Sequence, residues 1–231
     1  MAHTHFDDKL EALKQKLLAM SHEVEELVAD ATALAAREDG REPDEIVVSD
    51  KDVDEIEVEI EEGSIELLAL HQPMARDLRV IVTVLKINND LERIGDHAVN
   101  IAQAVSRLRE SRHYPPIPPE LPEMSEMARG MLRDALDAFL RGDAPAAEDV
   151  LKRDDRVDAL QESLFRVMLT HMLEDEISSC LQVILIGRNL ERIADLATNI
   201  SEDVVYMVRG QTIRHGRARR DQDESRGGAP A

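Results

Sequence analysis

Apolar residues recur every three to four positions through most of this chain, the spacing that gives an α-helix one dry face. Residues 7–37 contain no proline or glycine, and Leu10, Leu13, Leu17, Met20, Val24, Leu27 and Leu34 fall on one stripe, so the pattern predicts a long helix ending near Asp39-Gly40. A second helical pattern follows Pro43 and stops at Gln72-Pro73, with Gly63 a weak point inside it, and a third spans residues 74–112. Proline and glycine mark these ends because neither is well tolerated inside a helix. The run Tyr114-Pro115-Pro116-Ile117-Pro118-Pro119 cannot continue a helix and reads as a stiff spacer.

Beyond the spacer the plan repeats. Helices are predicted over residues 120–141, ending at Gly142-Asp143-Ala144-Pro145, then over 146–173 and 176–209. Residues 210–231 carry Arg214, Arg217, Arg219, Arg220 and Arg226 among small and polar residues and read as a flexible tail. The third helix contains Leu91-Glu-Arg-Ile-Gly-Asp-His-Ala-Val-Asn-Ile101 and the sixth contains Leu190-Glu-Arg-Ile-Ala-Asp-Leu-Ala-Thr-Asn-Ile200, identical at eight of eleven positions. Coincidence at that level is negligible, so the three-helix unit is an internal repeat. The expected fold is all-α, two pseudo-symmetric three-helix bundles in tandem, over residues 1–113 and 120–209 with the spacer at 114–119.

Composition narrows the function. With 48 acidic and 28 basic residues the net charge is −20 at pH 7, which argues against nucleic acid as a partner. Trp is absent and aromatic residues make up 2% of the chain, so Leu, Ile, Val, Ala and Met must build the core; Met124, Met127, Met131, Met168 and Met172 sit at core spacings. No apolar run is long enough to span a bilayer and no signal segment is evident, giving the expectation of a soluble, cytoplasmic protein. The single cysteine, Cys180, excludes an intrachain disulfide and reads as a core residue.

The repeat preserves a particular chemistry. Glu92 and Asp96, and their equivalents Glu191 and Asp195, lie four residues apart, with Asn100 and Asn199 one turn further as supporting oxygen donors. The preceding helices offer Asp50 and Asp54 in the first half and Asp154 and Asp158 in the second. Side chains four apart share a helix face, so antiparallel packing would gather four carboxylates per half. Such a group demands positive charge. Hard cations such as magnesium, calcium, manganese or iron would supply it, and so would salt bridges from Arg93, Arg192, Lys86 or Arg188. Arg93 and Arg192 read as interhelix ties, His97 as an exposed or packing residue because its equivalent is Leu196, and His71 as a helix-capping residue. A carboxylate-bundle oxidase or metal store would carry paired Glu-x-x-His motifs; Glu110-Ser-Arg-His113 is the one such spacing, at the edge of the spacer. There is no phosphate-binding glycine loop and no nucleophile–base pair, so a non-enzymatic protein is expected.

At these residues the chain resembles the PhoU family of phosphate-uptake regulators, on both Leu-Glu-Arg-Ile-x-Asp motifs and on Gln72-Pro-Met-Ala-Arg-Asp-Leu-Arg79, over residues 5–210. The resemblance implies multinuclear iron or zinc clusters, with manganese or magnesium as other occupants, on Asp50, Asp54, Glu92 and Asp96 and on Asp154, Asp158, Glu191 and Asp195. Here Asp50-x-x-x-Asp54 departs from the family's Glu-x-x-x-Asp, shortening ligand reach by one methylene. The resemblance further implies a negative regulator that binds the phosphate ABC transporter through its ATPase subunit and the phosphate-regulon sensor histidine kinase, peripheral to the membrane through those partners. A homodimer is the expected assembly. A metal-storage or redox enzyme and a metal-free helical adaptor are the competing readings.

Overall fold

The computed structural model describes residues 2–38, 41–111, 115–172 and 177–211. Seven helices cover most of them: α1 Ala2–Ala35, α2 Pro43–His71, α3 Ala75–Glu110, α4 Glu120–Arg141, α5 Ala144–Leu151, α6 Asp154–His171 and α7 Ile177–Arg209. There is no strand among the described residues. Residues 212–231, which hold the arginines of the expected tail, lie outside the described residues, as does Tyr114 of the spacer.

The helix ends follow from local chemistry. Pro43 opens α2 at a position that needs no N–H, and the Glu42 N–H donates to Glu45 Oε2 at 2.8 Å, covering one of the donors a helix start leaves exposed. Gln72 closes α2 in the left-handed region (φ 45°) ahead of Pro73. Gly142 ends α4 at φ 60°, with its N–H on Phe139 O and that of Asp143 on Ala138 O. The Asp143 carboxylate then caps α5 by accepting from Ala146 N at 3.1 Å. Gly63 does not interrupt α2.

One predicted element is divided. The helix expected over 146–173 is interrupted at Lys152 and Arg153, between α5 and α6. Both residues keep right-handed helical dihedrals, so the chain is not reversed, but Arg153 N–H turns back to Val150 O in a tighter i→i+3 bond. Ion pairs of Lys152 with Asp149 and of Arg153 with Asp134, at 2.5 and 2.6 Å, accompany the break.

The two bundles repeat in their cores. Leu17, Met20, Val24, Leu27 and Ala31 of α1 are matched in sequence and burial by Leu121, Met124, Ala128, Met131 and Ala135 of α4. Val53 and Ile60 of α2 correspond to Val157 and Leu164 of α6, and Leu91, Ile94, Ala98 and Ile101 of α3 to Leu190, Ile193, Ala197 and Ile200 of α7. Each fully buried Leu, Ile or Val contributes about 1.5–3 kcal/mol, so this shared scaffold dominates stability. Cys180 and the core methionines Met124, Met131 and Met168 are buried within it.

The halves join chiefly through α3 and α7, which cross antiparallel. Three contacts trace the crossing: the Arg79 guanidinium lies 3.6 Å from where a Gly210 Cβ would stand, Lys86 Nζ donates to Asp203 Oδ1 at 2.9 Å, and His97 Nδ1 lies 2.9 Å from Asn189 Oδ1. His97 is thus half-buried in the junction.

Candidate metal-binding faces

Antiparallel packing inside each bundle sets the acidic residues of one helix against those of the next. In the first half Asn88 Nδ2 donates to Glu57 O at 3.0 Å, fixing α3 against α2. About two turns on, Gly95 leaves bare backbone, and a Cβ built there would stand 2.7 Å from Asp50 Oδ1. The Asp50 carboxylate therefore rests against α3 in space that any side chain would fill. Burial, then repulsion from Asp54 and Asp96, pushes its pKa up from 3.8 to about 6. Burial likewise raises Glu92, helped by Asp96, Glu57, Asp54 and Asp50 in that order.

Glu57 belongs to this face although the repeat does not point to it. It stands three residues beyond Asp54 on the same stripe, but its equivalent in α6 is Gln161, so a search for acids shared by both halves passes it over. Helical spacing alone would have found it. Asn100 is exposed, one turn past Asp96.

The second face is arranged differently. One oxygen from each of Asp158, Glu191 and Asp195 lies within 4.8 Å of the others, the one such group of His, Cys, Asp or Glu among the described residues. Oxygens bound to a single hard cation at 2.0–2.6 Å stand no more than about 5 Å apart, so this trio fits one ion. Asp154, the first residue of α6, is outside the trio, and Asn199 is half-buried one turn beyond Asp195. At the position equivalent to Gly95 stands Ala194, a buried residue that carries a methyl where the first half has bare backbone. In the first half Asp50, Asp54, Glu92 and Asp96 interact electrostatically without three of them reaching that mutual distance.

Burial raises the Asp195 pKa, with Glu191 next, Arg192 opposing and Asp158 adding. Arg192 places Nη1 3.0 Å from Asp195 Oδ2 and Nε 3.6 Å from Glu191 Oε2. The interhelix role expected for the two arginines is corrected by this geometry: Arg192 ties to carboxylates of its own helix, and Arg93 lies 3.9 Å from Asp90, again on its own helix. An arginine three residues from an acid, on either side, reaches it along the helix without crossing to a neighbour. His71 also differs from expectation: its ring packs against Phe6 at 5.4 Å, and Gln72 forms the cap.

The family model for the PhoU domain matches residues 17–105 and again residues 121–204. This chain belongs to the PhoU family. Among PhoU relatives, the phosphate-specific transport system accessory protein PhoU homolog of Pseudomonas putida is 40% identical over 228 residues, covering 98% of this chain and 89% of the relative. The protein of the same description from Clostridium acetobutylicum is 36% identical over 211 residues, covering 90% and 96%. The crystal structure of PhoU from Pseudomonas aeruginosa superposes with a TM-score of 0.85 at 38% identity, over 89% of this chain and all of that one. The phosphate transport system regulatory protein PhoU from Streptococcus pneumoniae gives 0.79 at 31% identity, over 90% and 98%. The tandem-bundle fold is therefore the PhoU fold, and the chain is an accessory protein of phosphate transport.

Proposed function

We propose that this chain is a negative regulator of phosphate uptake and of phosphate-regulon signalling, working in the cytoplasm by docking on the transporter's ATPase subunit and on the sensor histidine kinase. It acts as a homodimer and reaches the membrane through those partners; no helix among the described residues is long and apolar enough to cross one. Its two acidic faces hold metal clusters, iron or zinc in the first instance and manganese or magnesium as alternatives. Asp158, Glu191 and Asp195, with Asp154 and Asn199 beside them, are the ligands of one; Asp50, Asp54, Glu92 and Asp96, with Glu57 and Asn100, are those of the other. Bound metal would supply the positive charge that these carboxylates lack.

The observation that carries this reading is the recurrence of the acid faces in both halves of a PhoU-family chain, with burial holding Asp50, Glu92 and Asp195 toward neutrality. Half-buried acids that repel one another are costly unless a cation joins them. One observation favours the metal-free adaptor at the second face, since Arg192 already brings a cation to Asp195 and Glu191. The test is deletion of the gene in a strain carrying a phosphate-regulon reporter. Constitutive expression at high phosphate supports the regulatory reading, and intact repression would sink it. Complementation with Asp158→Asn/Glu191→Gln/Asp195→Asn then separates the readings: unimpaired repression favours the adaptor, and lost repression the metal-dependent regulator.

A further inference from the structure

Helix α2 carries eleven acidic residues against one lysine, a net of −10 that is half of the chain's −20, whereas its equivalent α6 carries four acids against two arginines. What the acids of α2 meet depends on the direction they point. Asp50, Asp54 and Glu57 turn toward α3, and Glu59 and Glu66 are held by Lys16 and Lys9 of α1 at 2.7 and 2.6 Å. Asp52, Glu55 and Glu62 stand exposed on the outward face, and their side chains make no hydrogen bond or ion pair among the described residues.

On the same face Val48, Val58 and Ile65 are 63%, 50% and 55% exposed. At 100° per residue these six side chains fall within about 140° of the helix circumference and run for about 26 Å. Lys51 is the one base among them, and Arg41, just ahead of the helix, is engaged by Asp30 and Ser49 at 3.3 and 3.4 Å. Helix stability does not call for such a face. Valine and isoleucine are poorer helix formers than alanine, lysine or glutamate, and acids three apart, as Asp52 with Glu55 and Glu59 with Glu62, repel. The matching face of α6 is settled internally: Arg156 and Arg166 stand where α2 has Asp52 and Glu62, and they pair with Glu123 and Glu162 at 2.6 and 3.4 Å. The first half therefore presents charge and aliphatic area that its own fold leaves unanswered.

We propose that the outward face of α2 docks a partner protein through a surface in which lysines or arginines surround aliphatic side chains, the bases meeting Asp52, Glu55 and Glu62 and the aliphatics covering Val48, Val58 and Ile65. Charge selects this occupant. Nucleic acid and anionic lipid carry the sign of the face itself, a second copy would set one −10 helix against another, and a free cation would leave the aliphatic residues uncovered. The face is separate from the acids turned toward α3, so docking here does not use the proposed metal ligands.

The probe is a fluorescein-labelled amphipathic peptide of lysine and leucine, about 18 residues long so that as a helix it follows the whole face, titrated by anisotropy against the full-length protein. Asp52→Asn/Glu55→Gln/Glu62→Gln should weaken binding about tenfold and flatten its salt dependence, while Asp8→Asn/Glu38→Gln/Glu126→Gln, which removes three exposed acids elsewhere, should change it by less than about twofold. Val48→Ala/Val58→Ala/Ile65→Ala should weaken it about fivefold or more with a thermal midpoint at or above the parent's, alanine being the better helix former. Equal losses in the two acid variants would reduce the attraction to net charge and overturn the site, as would parent-like affinity in the alanine variant or no binding to the parent. Arg214→Gln/Arg217→Gln/Arg219→Gln/Arg220→Gln should leave the affinity unchanged; tighter binding there would put the chain's own C-terminal arginines on the face and overturn the choice of occupant. A dimer in sedimentation that the alanine variant dissociates would assign the face to a second copy and overturn it likewise.

Discussion

Lys86 Nζ and Asp203 Oδ1 meet at 2.9 Å across the junction of the two bundles, with the Asp203 side chain 2% exposed and Lys86 also 5.4 Å from the centroid of the Tyr206 ring. A charged hydrogen bond with one buried partner is worth about 1.5–3 kcal/mol, more than a surface pair. Lys86→Ala should lower unfolding free energy by about that amount, and Lys86→Ala/Asp203→Ala should cost less than the two single changes added together. A chemical-denaturation double-mutant cycle measures this, and strict additivity would show that the pair carries no coupling.

Acid strength on the first face has a sign that can be tested. Asp50 takes up its proton near pH 6 when folded, against 3.8 ordinarily, and Glu92, Asp195 and Glu25 are displaced in the same direction. Between about pH 4.5 and 6.5 these carboxyls hold more protons in the folded than in the unfolded chain, so their contribution to stability falls as pH rises through that window, while half-buried His97, pushed below its ordinary 6.5 by burial, acts with the opposite sign at its upper end. The exposed Glu66 and Glu148, held low by hydrogen bonds from Lys9 and Arg209, withdraw their stabilisation only at lower pH. Chelator-treated protein should melt higher at pH 5.5 than at pH 7. Asp50→Asn should raise the melting temperature at pH 7 and flatten that slope.

Arg192 competes for the second face. Replacing it with Gln removes the cation beside Asp195 and Glu191, so Mn²⁺ titrated calorimetrically into the chelated protein should bind this face about 3–10-fold tighter, given roughly 1 kcal/mol for a part-exposed pair. Asp195→Asn should abolish that binding class and spare the other. Unchanged affinity in Arg192→Gln would mean that the arginine swings aside without cost.

Two glycines separate packing from site chemistry. At Gly187 a Cβ would stand 2.2 Å from Leu164 Cδ2, so Gly187→Ala makes the buried Leu164 side chain shift within the packed core and should cost about 1–3 kcal/mol. At Gly95 the obstructed atom is the Asp50 carboxylate oxygen, free to rotate away. Gly95→Ala should therefore leave the melting temperature within a few degrees of the parent while weakening Mn²⁺ binding at the first face. A large loss of stability in Gly95→Ala would place the glycine's role in the fold.

Much of this architecture was legible because its punctuation is chemical: Pro43, Gln72-Pro73 and Gly142 each sit where a helix starts or stops. The break at Lys152-Arg153 was not, because neither residue is a breaker and the turn depends on tertiary partners such as Asp134. The recurring acids pointed to both faces, since duplication preserves spacing. What duplication cannot reveal is what the halves do not share. Glu57 against Gln161 and Gly95 against Ala194 are differences, and a search for identity discards them. The partners of Arg93 and Arg192 depended on rotamers, which the sequence leaves open.

The exchange of Gly95 for Ala194 has a further consequence. A body built from two copies of one unit presents nearly the same outline after a half-turn, and a partner reading outline alone would bind it either way round. With Asp50 lodged against the bare backbone of Gly95 in one half and a methyl at the matching position of the other, the half-turn no longer superimposes the chemistry. The molecule has a head and a tail, and a partner touching both faces can tell them apart.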